Sequence, residues 1–308
     1  MDTLTVSARN SEKGTGLDFR VIAAFFAIYV IWGSTFLAIR IAVLLVPPWL
    51  CAGIRFFTAG LILYAFSRLR GEIAPTRQEW RNLAMIGLLM FSVTYGALFW
   101  AEQYVPSGIT SVLEATLPLF TVVLEVFVFR QQRFRWRVVL ALVIGFCGVA
   151  VMLLKTGEGG LKLWPCLAVL GGSLAWSTGS VLTRSLSLPK SRLVTAGTEM
   201  MLGGTGLLAL SAATGELHPF PAIPTRAAIA LVYLISAGSL VGYTAFVWLL
   251  GRMPASRVAS HAYVNPLVAI ALGYFVVSEE VTVRTLIGAM LVVGSVVLTM
   301  MERPTKNT

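Results

Sequence analysis

The 308-residue chain is 57% apolar and 12% charged, with a formal net charge of +10. A soluble domain carries roughly a quarter of its residues charged to keep its surface wetted, so these figures exclude a soluble enzyme; a disordered chain, which needs low hydrophobicity, is excluded with it. The positive excess fits either a nucleic-acid face or membrane-loop anchors, and the positions of the basic residues decide between them.

A membrane helix needs about 20 mostly apolar residues to cross a hydrocarbon core ~30 Å thick. After a polar tail at 1–20, such runs fall at 21–45, 48–67, 82–101, 107–129 and 138–154. They continue at 163–183, 193–213, 227–250, 255–277 and 285–301, before a short tail at 303–308. The expected fold class is an all-α integral membrane protein with ten transmembrane helices, numbered here as spans 1–10. The first run is longer than the apolar stretch of a cleavable signal and follows a polar tail, which argues against cleavage. Cys51, Cys147 and Cys166 all sit inside apolar runs with no close pair, so they read as fillers rather than a disulfide framework. With only His218 and His261, no His-Glu-x-x-His and no Gly-rich loop ending in Lys-Ser or Lys-Thr, neither a metal, a cofactor nor ATP-driven chemistry is expected.

The basic residues alternate. The N-terminal tail and the loops after spans 2, 4, 6 and 8, with the C-terminal tail, hold 18 of the 24 Lys and Arg, and the other loops hold 4. Arg40 and Arg55 lie inside spans. The positive-inside rule then places both termini in the cytoplasm. Arginines dispersed over short loops offer no single binding face, so no nucleic-acid partner is expected.

The second half repeats the first. Trp32 precedes Arg40 by eight residues, and Trp176 precedes Arg184 by eight, at an offset of 144. Tyr95, Trp100, Pro106 and Pro118 recur as Tyr243, Trp248, Pro254 and Pro266, at an offset of 148. The expected organisation is thus a first repeat over 21–156 and a second over 157–302. Five spans per repeat is an odd number, so the second enters the membrane inverted, with substrate sites near the midplane between the repeats. The repeat alone does not separate a carrier from a channel.

These residues resemble the drug/metabolite transporter superfamily, with two EamA-type domains. The likeness is carried by Ile31-Trp32-Gly33-Ser34-Thr35, Pro47-Pro48, Gly53-Ile54-Arg55-Phe56, Val105-Pro106-Ser107-Gly108-Ile109 and Pro118-Leu119-Phe120. In the second half it is carried by Ala175-Trp176, Gly179-Ser180, Ala262-Tyr263-Val264-Asn265-Pro266 and Glu279-Glu280. The nearest type is the YedA-type exporters of bacterial inner membranes. Glu114 and His261 depart from that pattern, which bears on the substrate rather than the fold. The resemblance implies secondary transport, usually efflux of amino acids, other small metabolites or drugs, with no enzymatic activity. It leaves a monomer and a homodimer both open.

Charges inside spans are costly, ~2.5–3.5 kcal/mol each on insertion scales, so each should face a partner or water. Glu114 and His261 follow Pro106 and Pro254 by two turns in spans 4 and 9, where an acid and a histidine could carry protons; the plain alternative is a polar lining. Arg55 and Glu199 hold equivalent places in the two halves and are candidates for coupling, gating or holding a cargo carboxylate or ammonium; a structural pair is the alternative. Pro118 and Pro266 loosen the two spans expected to line the path. Trp32, Tyr95, Trp176, Tyr243, Tyr263 and Asn265 are candidate substrate contacts, the rings through stacking and cation–π attraction and Asn265 through its amide. For each, packing or a helix–helix hydrogen bond is the competing reading. Glu125 is expected to reach the cytoplasmic surface, and Arg40 and Glu102 to meet at the outer mouth or to anchor there. Ala141 and Gly145 suggest a packing or dimer face, and Gly203, Gly204 and Gly206 a bendable face of span 7.

Overall fold

The computed structural model describes residues 19–130, 136–153, 162–183, 185–218, 222–250, 252, 258 and 261–300. Among them every regular element is helical. Seven helices are long and apolar enough to cross a membrane: α1 Phe19–Val43, α2 Pro48–Leu69, α3 Arg77–Ala101, α4 Ser107–Val128, α6 Leu163–Leu182, α7 Arg192–Ala213 and α8 Thr225–Leu249. Three further helices, α5 Trp136–Leu153, α9 His261–Val277 and α10 Val283–Met300, carry shorter apolar stretches. They fall on the runs expected at 138–154, 255–277 and 285–301.

The helix ends follow from local chemistry. Proline opens α2, where its missing N–H costs nothing. α3 begins five residues before the expected apolar run because Thr76 and Glu79 form a capping box. α2 and α7 stop in the same way. Gly71 and Gly215 both take φ +81°, and the N–H groups of Glu72 and Glu216 reach back to the carbonyls of Ser67 and Ser211 at 3.2 and 3.0 Å. This is the Schellman geometry that satisfies the last helical carbonyls. Arg130 and Ser278, both non-glycine, also share a positive φ, at 51° and 56°. The two pairs are separated by 144 and 148 residues, the offsets of the sequence repeat.

Widened π-helical turns interrupt α1 at 27–31, α3 at 88–93, α4 at 124–128 and α8 at 234–241. Each inserts extra backbone and rotates the face that follows, a feature frequent at functional sites. The turn in α4 explains one departure from expectation. Glu125 lies within it and is 3% exposed, buried rather than snorkelled to the surface. A turn at 115–116 separates the two halves of α4 just before Pro118, and the Leu117 carbonyl accepts from the Ser177 hydroxyl at 2.9 Å. Pro266 lies inside α9 without ending it.

α2 and α7 run antiparallel in close contact. A Cβ on Gly204 would overlap the Phe57 backbone nitrogen, and one on Gly60 the backbone nitrogen of Met201. Gly203 likewise faces Phe91 and Gly87 of α3. The glycines of span 7 therefore permit backbone approach, which in lipid replaces the hydrophobic drive as the source of helix association. Gly145 and Gly148 play the same part between α5 and α10, with Gly145 facing Ser295 and Gly148 facing Gly288 and Leu291.

Candidate functional site

Rings from both halves of the chain form one continuous cluster. Trp32 of α1 lies 5.2 Å from Phe246 of α8 and 5.0 Å, edge-on, from His261 of α9. Phe246 leads to Tyr243 at 6.0 Å, and Tyr243 to Phe91 of α3 at 6.3 Å. Phe91 is the hub, also touching Phe56 of α2 at 5.1 Å, Tyr95 at 6.0 Å and Trp176 of α6 at 5.8 Å. Tyr95 and Trp176 meet at 5.9 Å. Most of these pairs are tilted or edge-on and Phe91–Tyr95 is stacked at 16°, arrangements and spacings that aromatic pairs prefer. Two devices make room. The π-helical turn of α3 contains Phe91, and Gly242 leaves space against which Trp32 packs.

Arg55 ends the cluster. Its guanidinium lies 4.6 Å from the Phe56 centroid, 5.4 Å from Tyr95 and 5.9 Å from Phe99. Arg55 Nε donates to Ser239 Oγ at 3.1 Å, in the π-helical turn of α8. Its Nη1 is buried without a hydrogen-bond acceptor. Glu114, at the end of the first half of α4, is within electrostatic reach of Arg55 and Tyr95. Glu199 is 2% exposed with Oε1 unpartnered, and its charge acts on Tyr243.

The structure thus brings Trp32, Tyr95, Trp176, Tyr243, Arg55 and His261 into one ring network. Arg55 bonds Ser239 rather than Glu199. His261 Nδ1 meets the Val258 carbonyl at 3.0 Å while its ring packs on Trp32 and Phe246. Trp32 Nε1 donates to the Gly238 carbonyl at 2.9 Å, joining α1 to α8. Asn265, 8% exposed, is turned to helix–helix bonding: with its amide nitrogen toward α1 it donates to the carbonyls of Ile28 at 3.0 Å and Tyr29 at 3.1 Å. The side chain of Tyr263, Pro254 and Arg184 lie outside the described residues.

A second feature lies at the end of the molecule where α2 and α4 begin. Glu279, just after Ser278, accepts from Ser107 N at 2.9 Å, Ser107 Oγ at 3.0 Å and Gly108 N at 3.2 Å. Gly273 has no Cβ where one would overlap the Glu279 carboxylate. Glu216, just after Gly215, accepts from Leu50 N at 2.8 Å and Trp49 N at 3.4 Å. Two second-half carboxylates therefore cap two first-half helices, where orphan N–H groups and the helix dipole favour a negative charge. Glu102, immediately after α3 at the same end, is fully buried with neither carboxylate oxygen hydrogen-bonded. Burial, and then the nearby Glu279 charge, hold its carboxyl well above the usual carboxylate range, against the opposing effect of Arg40. Arg40 donates to the Glu102 backbone carbonyl, so the two meet without forming the expected carboxylate contact.

Sequence reading did not place Phe56, Phe91, Phe99 or Phe246 among the site residues, and it did not single out Glu216. Phenylalanine is common in this chain, with 17 copies, and carries no polar mark of a site. The available signal was for Glu216: a Gly-Glu pair repeats at 71–72 and 215–216, where a helix stops.

The described residues thus form a bundle of apolar, membrane-length helices with an aromatic and charged core built from both halves. Residues 19–154 and 163–301 match the EamA-like transporter family. The chain belongs to that family. It is 38% identical over 256 residues to the inner membrane transporter YedA of Escherichia coli (strain K12), covering 82% of this chain and 81% of that one. It is 27% identical to the protein PecM of Dickeya dadantii over 280 residues, covering 89% of this chain and 90% of that one. A solved crystal structure superposes with a TM-score of 0.62 at 20% identity, covering 92% of this chain and 97% of the other, which supports the fold.

Proposed function

We propose that the protein is a secondary carrier that exports small molecules across the bacterial inner membrane by alternating access. In this reading ten spans form two inverted five-helix repeats, both termini are cytoplasmic, and the cargo sits among the rings joining Trp32, Tyr95, Trp176 and Tyr243. The matching helix ends at Gly71 and Gly215, and the matching positive φ at Arg130 and Ser278, support the two-repeat organisation.

The observation that carries the reading is the unequal treatment of equivalent ends. Glu216 and Glu279 clasp the ends of α2 and α4. Glu72, equivalent to Glu216, is exposed at the opposite end of α2. Gln131, equivalent to Glu279, lies outside the described residues. The Glu216 clasp, made at one end and not repeated by Glu72 at the other, is what one state of a two-state carrier requires. The loops at the clasped end are poor in Lys and Arg, which supports the reading that this end faces the non-cytoplasmic side.

Glu114, close to Arg55, is the proposed proton-coupling residue. His261, packed between rings, supports the path rather than the proton. Pro118 supplies the hinge of α4, and Asn265 with Pro266 ties α9 to α1. Reconstituted proteoliposomes test the reading by trans-stimulation. Unlabelled cargo inside should accelerate entry of labelled cargo, and flux that ignores trans cargo would favour the second reading, an uncoupled channel or facilitator of the same fold. Drive by a pH gradient, lost in Glu114→Gln, would support coupling.

A further inference from the structure

The charge balance around Arg55 specifies the cargo. Arg55 is 3% exposed, and its guanidinium stays protonated at any physiological pH. Three rings cover it, Ser239 occupies Nε, and Gly238 leaves 3.2 Å between a would-be Cβ and Nη2. Nη1 is buried without an acceptor. A permanent cation held in an apolar shell with an idle donor is unfavourable unless an anion comes to it. Glu199 acts on Tyr243 instead, and Glu114 influences Arg55 electrostatically without any hydrogen bond to Nη1. Beyond Arg55 the surroundings are flat and aromatic: Phe91, Tyr95, Trp176 and Tyr243.

We infer that Arg55 is the recognition site for a monocarboxylate cargo with a flat apolar body, its carboxylate on Nη1 and its body among the rings. This rests on the carrier reading and deepens it. It also changes the energetics. A cargo carrying one negative charge is driven toward the positive side of the membrane, about fifty-fold per 100 mV. The membrane potential therefore favours export of such an anion from an inside-negative cell, in addition to any drive from the proton gradient.

The test uses the full chain purified in detergent, with acetate, phenylacetate and indole-3-acetate as probes and phenylacetamide as the neutral match. Thermal stability is read against concentration, because a ligand that binds the folded state stabilises it. Phenylacetate and indole-3-acetate should stabilise the protein, and the amide should need about ten- to a hundredfold higher concentration for the same shift, as expected for losing a charged hydrogen bond. R55Q should erase the difference between acid and amide, while R55K keeps part of it. Equal stabilisation by acid and amide in the unmodified protein, which requires no variant to fold, would overturn the inference. So would the absence of any shift with all three acids at tens of millimolar. Acid-selective binding without trans-stimulated flux would instead leave the anion site standing and refute the carrier reading.

Discussion

The clasp at Glu216 can be perturbed with a reporter already in the chain. Cys51 is 1% exposed and lies one residue beyond Leu50, whose N–H is held by Glu216 at 2.8 Å. Any opening of that end exposes the thiol. Glu216→Gln keeps the shape and one acceptor but removes the charge at the start of α2. The contact consists of one good hydrogen bond, one long one and a favourable dipole interaction, on a half-buried carboxylate. Capping and helix-dipole magnitudes, discounted for screening, put its contribution at about 1–2 kcal/mol. The population with this end open should therefore rise about 5- to 30-fold, since 1.4 kcal/mol is tenfold. The assay is maleimide labelling of Cys51 in a chain whose exposed Cys147 and buried Cys166 are replaced by serine. Labelling should accelerate by that factor with little change in thermal stability. A rate within twofold of the parent, in a variant that remains folded, would refute the idea that Glu216 holds the end closed.

The companion clasp makes three contacts, so Glu279→Gln should open the same end at least as strongly, and the double variant should exceed either single one in the same labelling assay. Glu102 gives a pH signature. Its carboxyl is raised above the ordinary value in the folded protein, so folding favours the protonated form. Stability should be greatest below the ordinary carboxylate value and fall as pH rises through the window between that value and the raised one. Thermal melts from pH 4 to 9 should show this decline, and Glu102→Gln should flatten it; a flat profile in the parent would remove Glu102 from consideration. Gly204→Ala forces a Cβ into the Phe57 backbone and should destabilise by about 1–3 kcal/mol, the usual cost of overpacking, seen as a lower melting temperature. An unchanged melting point would mean that α2 and α7 are not in contact at Gly204.

The membrane class was legible because the bilayer imposes a length: seven of the apolar runs coincide with helices long and apolar enough to cross a membrane among the described residues, and the other three overlap shorter apolar helices. The paired tryptophans and tyrosines were legible because their spacing repeats. Trp32, Trp176, Tyr95 and Tyr243 accordingly fall in one cluster. Which phenylalanines join them was hidden. In lipid both faces of a helix are apolar, so periodicity does not tell the packed side from the exposed one. Phe91 is fixed by a π-helical turn that no residue pattern announces, and the same kind of turn carries Glu125 inward. Asn265 was readable as polar at midplane, but its partners are the Ile28 and Tyr29 carbonyls of another widened turn, which only the fold reveals. The clasps join residues 166 and 172 positions apart through loop carboxylates, contacts set by how helices are arranged rather than by local sequence.

Alternating access requires that the two ends move in opposite senses. Spin labels at exposed Tyr104 and Glu280 report the clasped end, and labels at exposed Glu72 and Lys190 report the other. Pulsed dipolar spectroscopy on the parent and on the Glu216→Gln, Glu279→Gln double variant measures both distances without any cargo. The account predicts that the variant lengthens the Tyr104–Glu280 distance and shortens the Glu72–Lys190 distance. Opening of the clasped end with no change at the other would contradict it and describe a gated channel instead.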